Sequence, residues 1–156
     1  MANVKVNTIT YNDFVSSYHN VQIPDYQRPY RWDKVKVNDL LDDLEEFFID
    51  KPVYGLDYYI GSILLFHNKK ENCYEIIDGQ QRLTTLNLIA YILTNNLQNG
   101  QNLHYNNHLS FYYIRENYEF LKKKKELLHT LDKKAFFNKL VFTLIVSYDE
   151  DQSFAF

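Results

Sequence analysis

The stretch from Tyr58 to Arg82 leaves the backbone few choices. Tyr58 to His67 is an apolar run with little alternation, the pattern of a strand covered on both faces. Cys73 to Ile77 reads as a second strand. The link between them, Asn68-Lys69-Lys70-Glu71-Asn72, is a hairpin-like turn. It is too short for a crossover, so the two strands run antiparallel. A helix comes next, roughly Gln81 to Leu97, with Leu83, Leu86, Ala90, Leu93 and Leu97 recurring at three and four residues. Asn99-Gly100 is expected to close it as a C-cap. The Asp78-Gly79 junction therefore lies where a strand ends and a helix begins.

The flanks supply the remaining elements. Ile9 to Phe14 opens a short helix, with Thr10 as N-cap and Asp13 three residues on, a variant of the capping box. Val21-Gln22-Ile23 reads as a short strand. Pro24 and Pro29 stop regular structure. Asp33 caps a helix running to about Asp50, with Val37, Leu40, Leu41, Leu44, Phe47 and Phe48 on its inner face. Asp39, Asp42, Asp43, Glu45 and Glu46 form a solvated outer face, and Pro52 and Gly55 end the helix. A second helical region spans about Leu109 to Leu128, and Lys139 to Tyr148 reads as a strand. Together these predict an α/β fold. Segments near residues 21–23, 58–67, 73–77 and 139–148 build a small mixed sheet surrounded by helices, in a single domain over 1–156. The end, Asp149-Glu150-Asp151-Gln152 followed by apolar Ser153-Phe154-Ala155-Phe156, looks like the start of further structure and predicts a fragment of a longer protein.

Composition narrows the function classes. With 46% hydrophobic and 24% charged residues, the chain can build a packed core. The 14 Tyr and 11 Phe suggest half-buried faces, or a surface that meets a partner. A formal net charge of −3 argues against a coat of positive charge, yet leaves room for a local basic cleft. Cys73 stands alone, so no intramolecular disulfide or metal cluster is expected, and a cytoplasmic location is the default. Met1 to Lys5 lacks the charged-then-apolar pattern of a leader, and Tyr58 to Phe66 is too short to span a bilayer.

Two clusters carry chemistry. The first is Asp78-Gly79-Gln80-Gln81-Arg82-Leu83-Thr84-Thr85. A helix N-terminus leaves N–H groups unpaired and carries partial positive charge, which suits it to phosphate. Gly79 allows close backbone approach. Gln80 and Gln81 offer amide donors, and Arg82 a planar fork matched to phosphate. Asp78 could hold a metal-bound water, a ribose hydroxyl or a partner arginine. The residues alone leave a second reading open: an ordinary turn in which Asp78 caps the helix and Arg82 pairs with a carboxylate.

The second cluster is Ile23-Pro24-Asp25-Tyr26-Gln27-Arg28-Pro29-Tyr30-Arg31-Trp32. Its prolines limit the shapes the loop can take. Arg28 and Arg31 could clamp phosphates, while Tyr26, Tyr30 or Trp32 could stack on a base or ribose. The alternative is an aromatic plug on the core with solvated arginines.

These segments, together with Tyr59-Ile60-Gly61-Ser62-Ile63, resemble in order and spacing the N-terminal domain of GmrSD-type, modification-dependent restriction endonucleases. The match is clear over about Ile9 to Leu93. The resemblance implies a ParB/sulfiredoxin-like fold and a domain that binds and hydrolyses a nucleoside triphosphate, ATP or GTP, with Mg²⁺. It implies catalytic or phosphate roles for Asp78, Gln81 and Arg82. Gly79, Gln80, Thr84, Arg28 and Arg31 would be phosphate-binding positions. It also implies modified DNA as the target of the full-length protein, with cleavage by a C-terminal HNH-type nuclease domain or subunit. Neither an HNH signature nor a Phe-x-x-x-Asn-x-Arg-Gly segment occurs in this sequence.

Other features read as structural. His104 and His108 are spaced like zinc ligands but lack a third. Lys122-Lys123-Lys124-Lys125 reads as a solvated helix face near Glu119 and Glu126. Two functions compete with nucleotide hydrolysis: a non-enzymatic ParB-like DNA-binding module, and a nuclease domain in its own right with Asp78 as a metal ligand. The second is short of carboxylates for a two-metal site.

Overall fold

The computed structural model of the chain describes residues 3–24, 27–50, 57–96 and 108–148. A five-stranded mixed sheet is ordered β1-β5-β3-β4-β2. The strands are β1 Val4–Thr10, β2 Val21–Gln22, β3 Tyr58–Asn68, β4 Cys73–Asp78 and β5 Leu140–Ser147. β3 and β4 pair antiparallel, as their short turn demands. Within that turn Asn68 Oδ1 accepts from the Glu71 N–H, and Asn72 takes a left-handed φ of 50°. β5 lies parallel to β3 in the middle of the sheet and is buried along most of its length. β2 pairs parallel with β4.

The expected α/β class and mixed sheet are present, with one strand more than the sequence suggests. β1 pairs antiparallel with β5 at the sheet edge. Lys5 to Thr8 are exposed there, so no buried face imposes a readable alternation.

Six α-helices are described: α1 Tyr11–Ser17, α2 Lys34–Glu45, α3 Gln80–Thr94, α4 His108–Lys123, α5 Lys125–Thr130 and α6 Lys133–Lys139. Both expected caps form. Thr10 Oγ1 accepts from the Asp13 N–H at 3.0 Å, and Asp33 Oδ1 from the Lys36 N–H at 3.1 Å. α2 continues to Asp50 through a π-helical turn, Glu46–Asp50. The region expected as one helix from Leu109 to Leu128 breaks at Lys124 into α4 and α5, and a further short helix, α6, follows before β5. α3 stops at Thr94, short of Leu97. Asn95 turns left-handed (φ 58°) and sends its N–H to Tyr91 O at 2.7 Å. Asn99-Gly100 lies outside the described residues.

Aromatic residues knit the helices to the sheet. Tyr11 meets Phe136 edge-on at 5.6 Å, and Phe14 meets Phe142 at 5.2 Å. Leu83, Leu86, Ile89, Ala90 and Leu93 of α3 are buried in the same core. The sheet is irregular where β4 approaches α3. The β3–β5 register shifts between Tyr59 and Ser62, around Gly61, and the β3–β4 register shifts between Leu64 and Leu65. Such bulges bend a strand and re-aim the side chains beyond the bend.

Candidate functional site

The turn from β4 into α3 is built on Gly79, whose φ of 97° suits glycine. A Cβ there would lie 3.0 Å from Ile63 Cγ1 and 3.2 Å from Ser62 O. Gly79 is the N-cap of α3 and supplies no side-chain cap, so Asp78 does not cap the helix. Arg82 is likewise not paired as the ordinary-turn reading requires. Among the described residues no carboxylate is recorded within ion-pair distance of it.

Arg82 instead lies against Gly61. A Cβ on Gly61 would come 2.5 Å from Arg82 Nη1, and φ there is 108°. Neighbouring tyrosines feel the guanidinium. Burial raises the Tyr58 hydroxyl above its ordinary value, the adjacent Asp43 carboxylate adds to this, and Arg82 opposes it. Tyr59 is lowered by its hydrogen bonds, to Thr143 first and then Ser62, with Arg82 contributing.

The two sequence clusters converge on one cavity of about 830 Å³. The loop contributes Gln27, Arg28, Arg31 and Trp32. The start of α2 contributes Asp33 and Lys36, and the turn contributes residues 77–82. Four basic residues (Arg28, Arg31, Lys36, Arg82) thus line the cavity with two acidic ones (Asp33, Asp78) around a helix N-terminus. The local excess of positive charge sits in a chain of net charge −3. Lys36 does not stand out in the sequence, where it is one more charge on an amphipathic helix. Asp33 at the N-cap is the local signal, because capping fixes the first turn of α2 beside the loop.

The other expected site residues divide in two. Gln81 lines the cavity, but its amide grips the loop: Oε1 accepts from the Arg31 N–H at 2.7 Å and Nε2 donates to Pro29 O at 2.8 Å. Gln80 is buried and donates from Nε2 to Gln27 Oε1 at 3.2 Å. Trp32 is half-buried on the wall, where a base could stack. Tyr30 cannot serve that way. Its ring is fully buried, and its hydroxyl shares a 2.8 Å hydrogen bond with Thr85 Oγ1 and accepts from Asn117 Nδ2 at 2.9 Å. Thr84 is buried and does not line the cavity. Tyr26 lies outside the described residues, as does His104 of the histidine pair. Among the described residues no three His, Cys, Asp or Glu side chains cluster to hold a metal.

This arrangement draws together all three segments on which the sequence resemblance rests. The model of the family described as GmrSD restriction endonuclease, N-terminal domain, matches residues 11–154. The chain belongs to this family. The match continues through α4, α5, α6 and β5, beyond the stretch from Ile9 to Leu93 where the motifs lie. Comparison with curated proteins found no match. A GmrSD N-terminal domain is part of a restriction, or phage-defence, protein. Among its described residues no helix is long and apolar enough to cross a membrane.

Proposed function

We propose that this GmrSD N-terminal domain binds a nucleoside triphosphate in the Arg28–Arg82 cavity and hydrolyses it, as the regulatory part of a restriction protein. The observation that carries this reading is the convergence of four cationic residues on one cavity at the N-terminus of α3, whose N-cap is Gly79. A triphosphate is the multiply charged anion such a cleft suits. The phosphates lie over the Gly79-Gln80 backbone, with Arg28, Arg31 and Lys36 neutralising charge from the loop side. Arg82, held on Gly61, faces the charge that develops in the transition state. Trp32 offers a stacking face for the base.

The donor set also fits Mg²⁺, which keeps several waters and needs one or two carboxylates beside phosphate oxygens. Asp78 and the free oxygen of Asp33 are the residues that would hold it. When bound, the ion supplies neutralisation of phosphate charge. The five-stranded mixed sheet with flanking helices supports assignment to the ParB/sulfiredoxin-like class. Modified DNA as target, and an HNH-type nuclease domain or subunit as cutting partner, are part of the same reading through the family.

Calorimetry with ATP and GTP in the presence of Mg²⁺, on wild type and Arg82→Ala, tests it. The expected result is binding that is weakened at least ~tenfold, yet still measurable, in a variant of unchanged thermal midpoint. Equal binding by both proteins overturns the site. The competing function is a DNA-binding module. Its signature is nucleotide-independent DNA binding whose affinity falls steeply with salt.

A further inference from the structure

The loop that brings Arg28, Arg31 and Trp32 to the cavity is gripped at four successive residues. Gln81 of α3 holds Pro29 O and the Arg31 N–H. Ser110 of α4 accepts from the Tyr30 N–H at 2.8 Å. Asn117, also of α4, donates from Nδ2 to both Tyr30 Oη and Trp32 O. The direction of the hydrogen bonds is fixed by elimination. Thr85 spends its proton on Gln81 O at 2.9 Å, so Tyr30 must donate to Thr85 Oγ1 and accept from Asn117. The order is Asn117 to Tyr30 to Thr85 to the Gln81 carbonyl, a buried chain from α4 to the first turns of α3.

We propose that Asn117 is a positioning residue of the nucleotide site. It sets the direction in which Arg31 and Trp32 enter the cavity, and touches no ligand itself. Asn117 and Ser110 are both fully buried. Asn117 Oδ1 has no partner among the described residues, which costs stability in a buried position. Packing therefore does not account for an amide at this place. What accounts for it is Nδ2, which ties the ring hydroxyl and the carbonyl on either side of Arg31. α4 thus belongs to the site, although none of its described residues lines the cavity.

This inference rests on the nucleotide-binding reading, and its test separates the two. The variants are Asn117→Leu, which keeps the branched shape and removes the donor, and the milder Ser110→Ala. Each is combined with Arg31→Ala and with Arg82→Ala, and the affinity for Mg-ATP and Mg-GTP is measured. A positioning role predicts roughly tenfold weaker binding for Asn117→Leu alone. It predicts little further loss in the Arg31→Ala background and a full further loss beside Arg82→Ala, since Arg82 rests on Gly61 and outside the clamp. Trp32 is the single tryptophan, so its fluorescence reports the loop without ligand. A red-shifted emission at unchanged far-UV dichroism is expected for Asn117→Leu. If Asn117→Leu does not fold, Ser110→Ala carries the same cycle. Equal losses in both backgrounds with unshifted Trp32 emission overturn the positioning role alone. No nucleotide binding by wild type overturns the site reading, and this proposal with it.

Discussion

Gly61→Ala is the sharpest test of how Arg82 is held. The added Cβ would lie 2.5 Å from Nη1 and 3.2 Å from Cζ. An ordinary contact is about 3.5 Å, so the guanidinium must retreat by roughly 1 Å. Alanine must also adopt a φ of 108°, which glycine tolerates and other residues do not. That backbone strain costs roughly 1–3 kcal/mol, or a fall of about 2–12 °C in thermal midpoint for a domain of this size. The displacement matters more than the strain. A misplacement of about 1 Å at a reacting centre can cost ~100-fold in rate. The expected outcome is a folded protein whose phosphate release from ATP or GTP, tracked with a coupled assay, drops by about two orders of magnitude. In an Arg82→Ala background the same substitution should lower the thermal midpoint and leave residual turnover unchanged, because the group it displaces is gone. Full activity in Gly61→Ala, or an equal further loss beside Arg82→Ala, would falsify the idea that Gly61 acts by seating Arg82.

Buried groups give three further expected outcomes. Burial holds the hydroxyls of Tyr11 and Tyr30 above their ordinary value of 10.0, while Thr85 and Asn117 pull Tyr30 back in part. Above pH ~10 the unfolded chain releases protons that the folded state keeps, so stability should fall as pH rises through that value. Thermal midpoints between pH 8 and 11.5 should show this, with a shallower fall in Tyr11→Phe. An equal slope in both proteins rules Tyr11 out as a source. Tyr30→Phe should lose roughly 1–2 kcal/mol of unfolding free energy in urea titration, since two buried partners lose their bond; an unchanged midpoint would show that the clamp contributes nothing to stability. The Cys73 thiol is buried and raised, by desolvation first and then by Glu75 and Glu71. Iodoacetamide at neutral pH should therefore label it slowly in the folded protein and quickly in urea, and equal rates would contradict its burial.

How much the sequence reveals here is set by locality. The β3–β4 hairpin, the handover to α3 and the caps at Thr10 and Asp33 depend on residues a few positions apart, and each forms as the pattern predicts. β1 is hidden because its partner β5 lies at the far end of the chain and its middle stays exposed. Asn95 ends α3 early through a left-handed backbone that sequence periodicity does not register. At the site, the charged and glycine-bearing clusters are legible, and their meeting in one cavity is not. Ser110 and Asn117 leave no signal at all. A single polar residue on a helix reads as surface, and the structure alone shows that α4 turns both inward onto the loop.

The three motif segments make one object in space, and they divide the labour differently from what their composition suggests. Gln81, expected from the sequence to be a catalytic or phosphate residue, uses both ends of its amide on the backbone of the loop. Tyr30, an aromatic suited to stacking, is a buried strut. The Tyr59–Ile63 segment contributes shape: Gly61 makes room for the Arg82 guanidinium, and Ile63 crowds the place where Gly79 would otherwise carry a Cβ. On the proposed reading, the chemistry falls to residues that line the cavity without such duties, chiefly Arg28, Arg31, Lys36, Arg82 and Asp78. A site built this way should tolerate little change in its struts even though they touch no ligand. Loss of a strut misdirects several charges at once, whereas loss of one loop arginine removes a single contact.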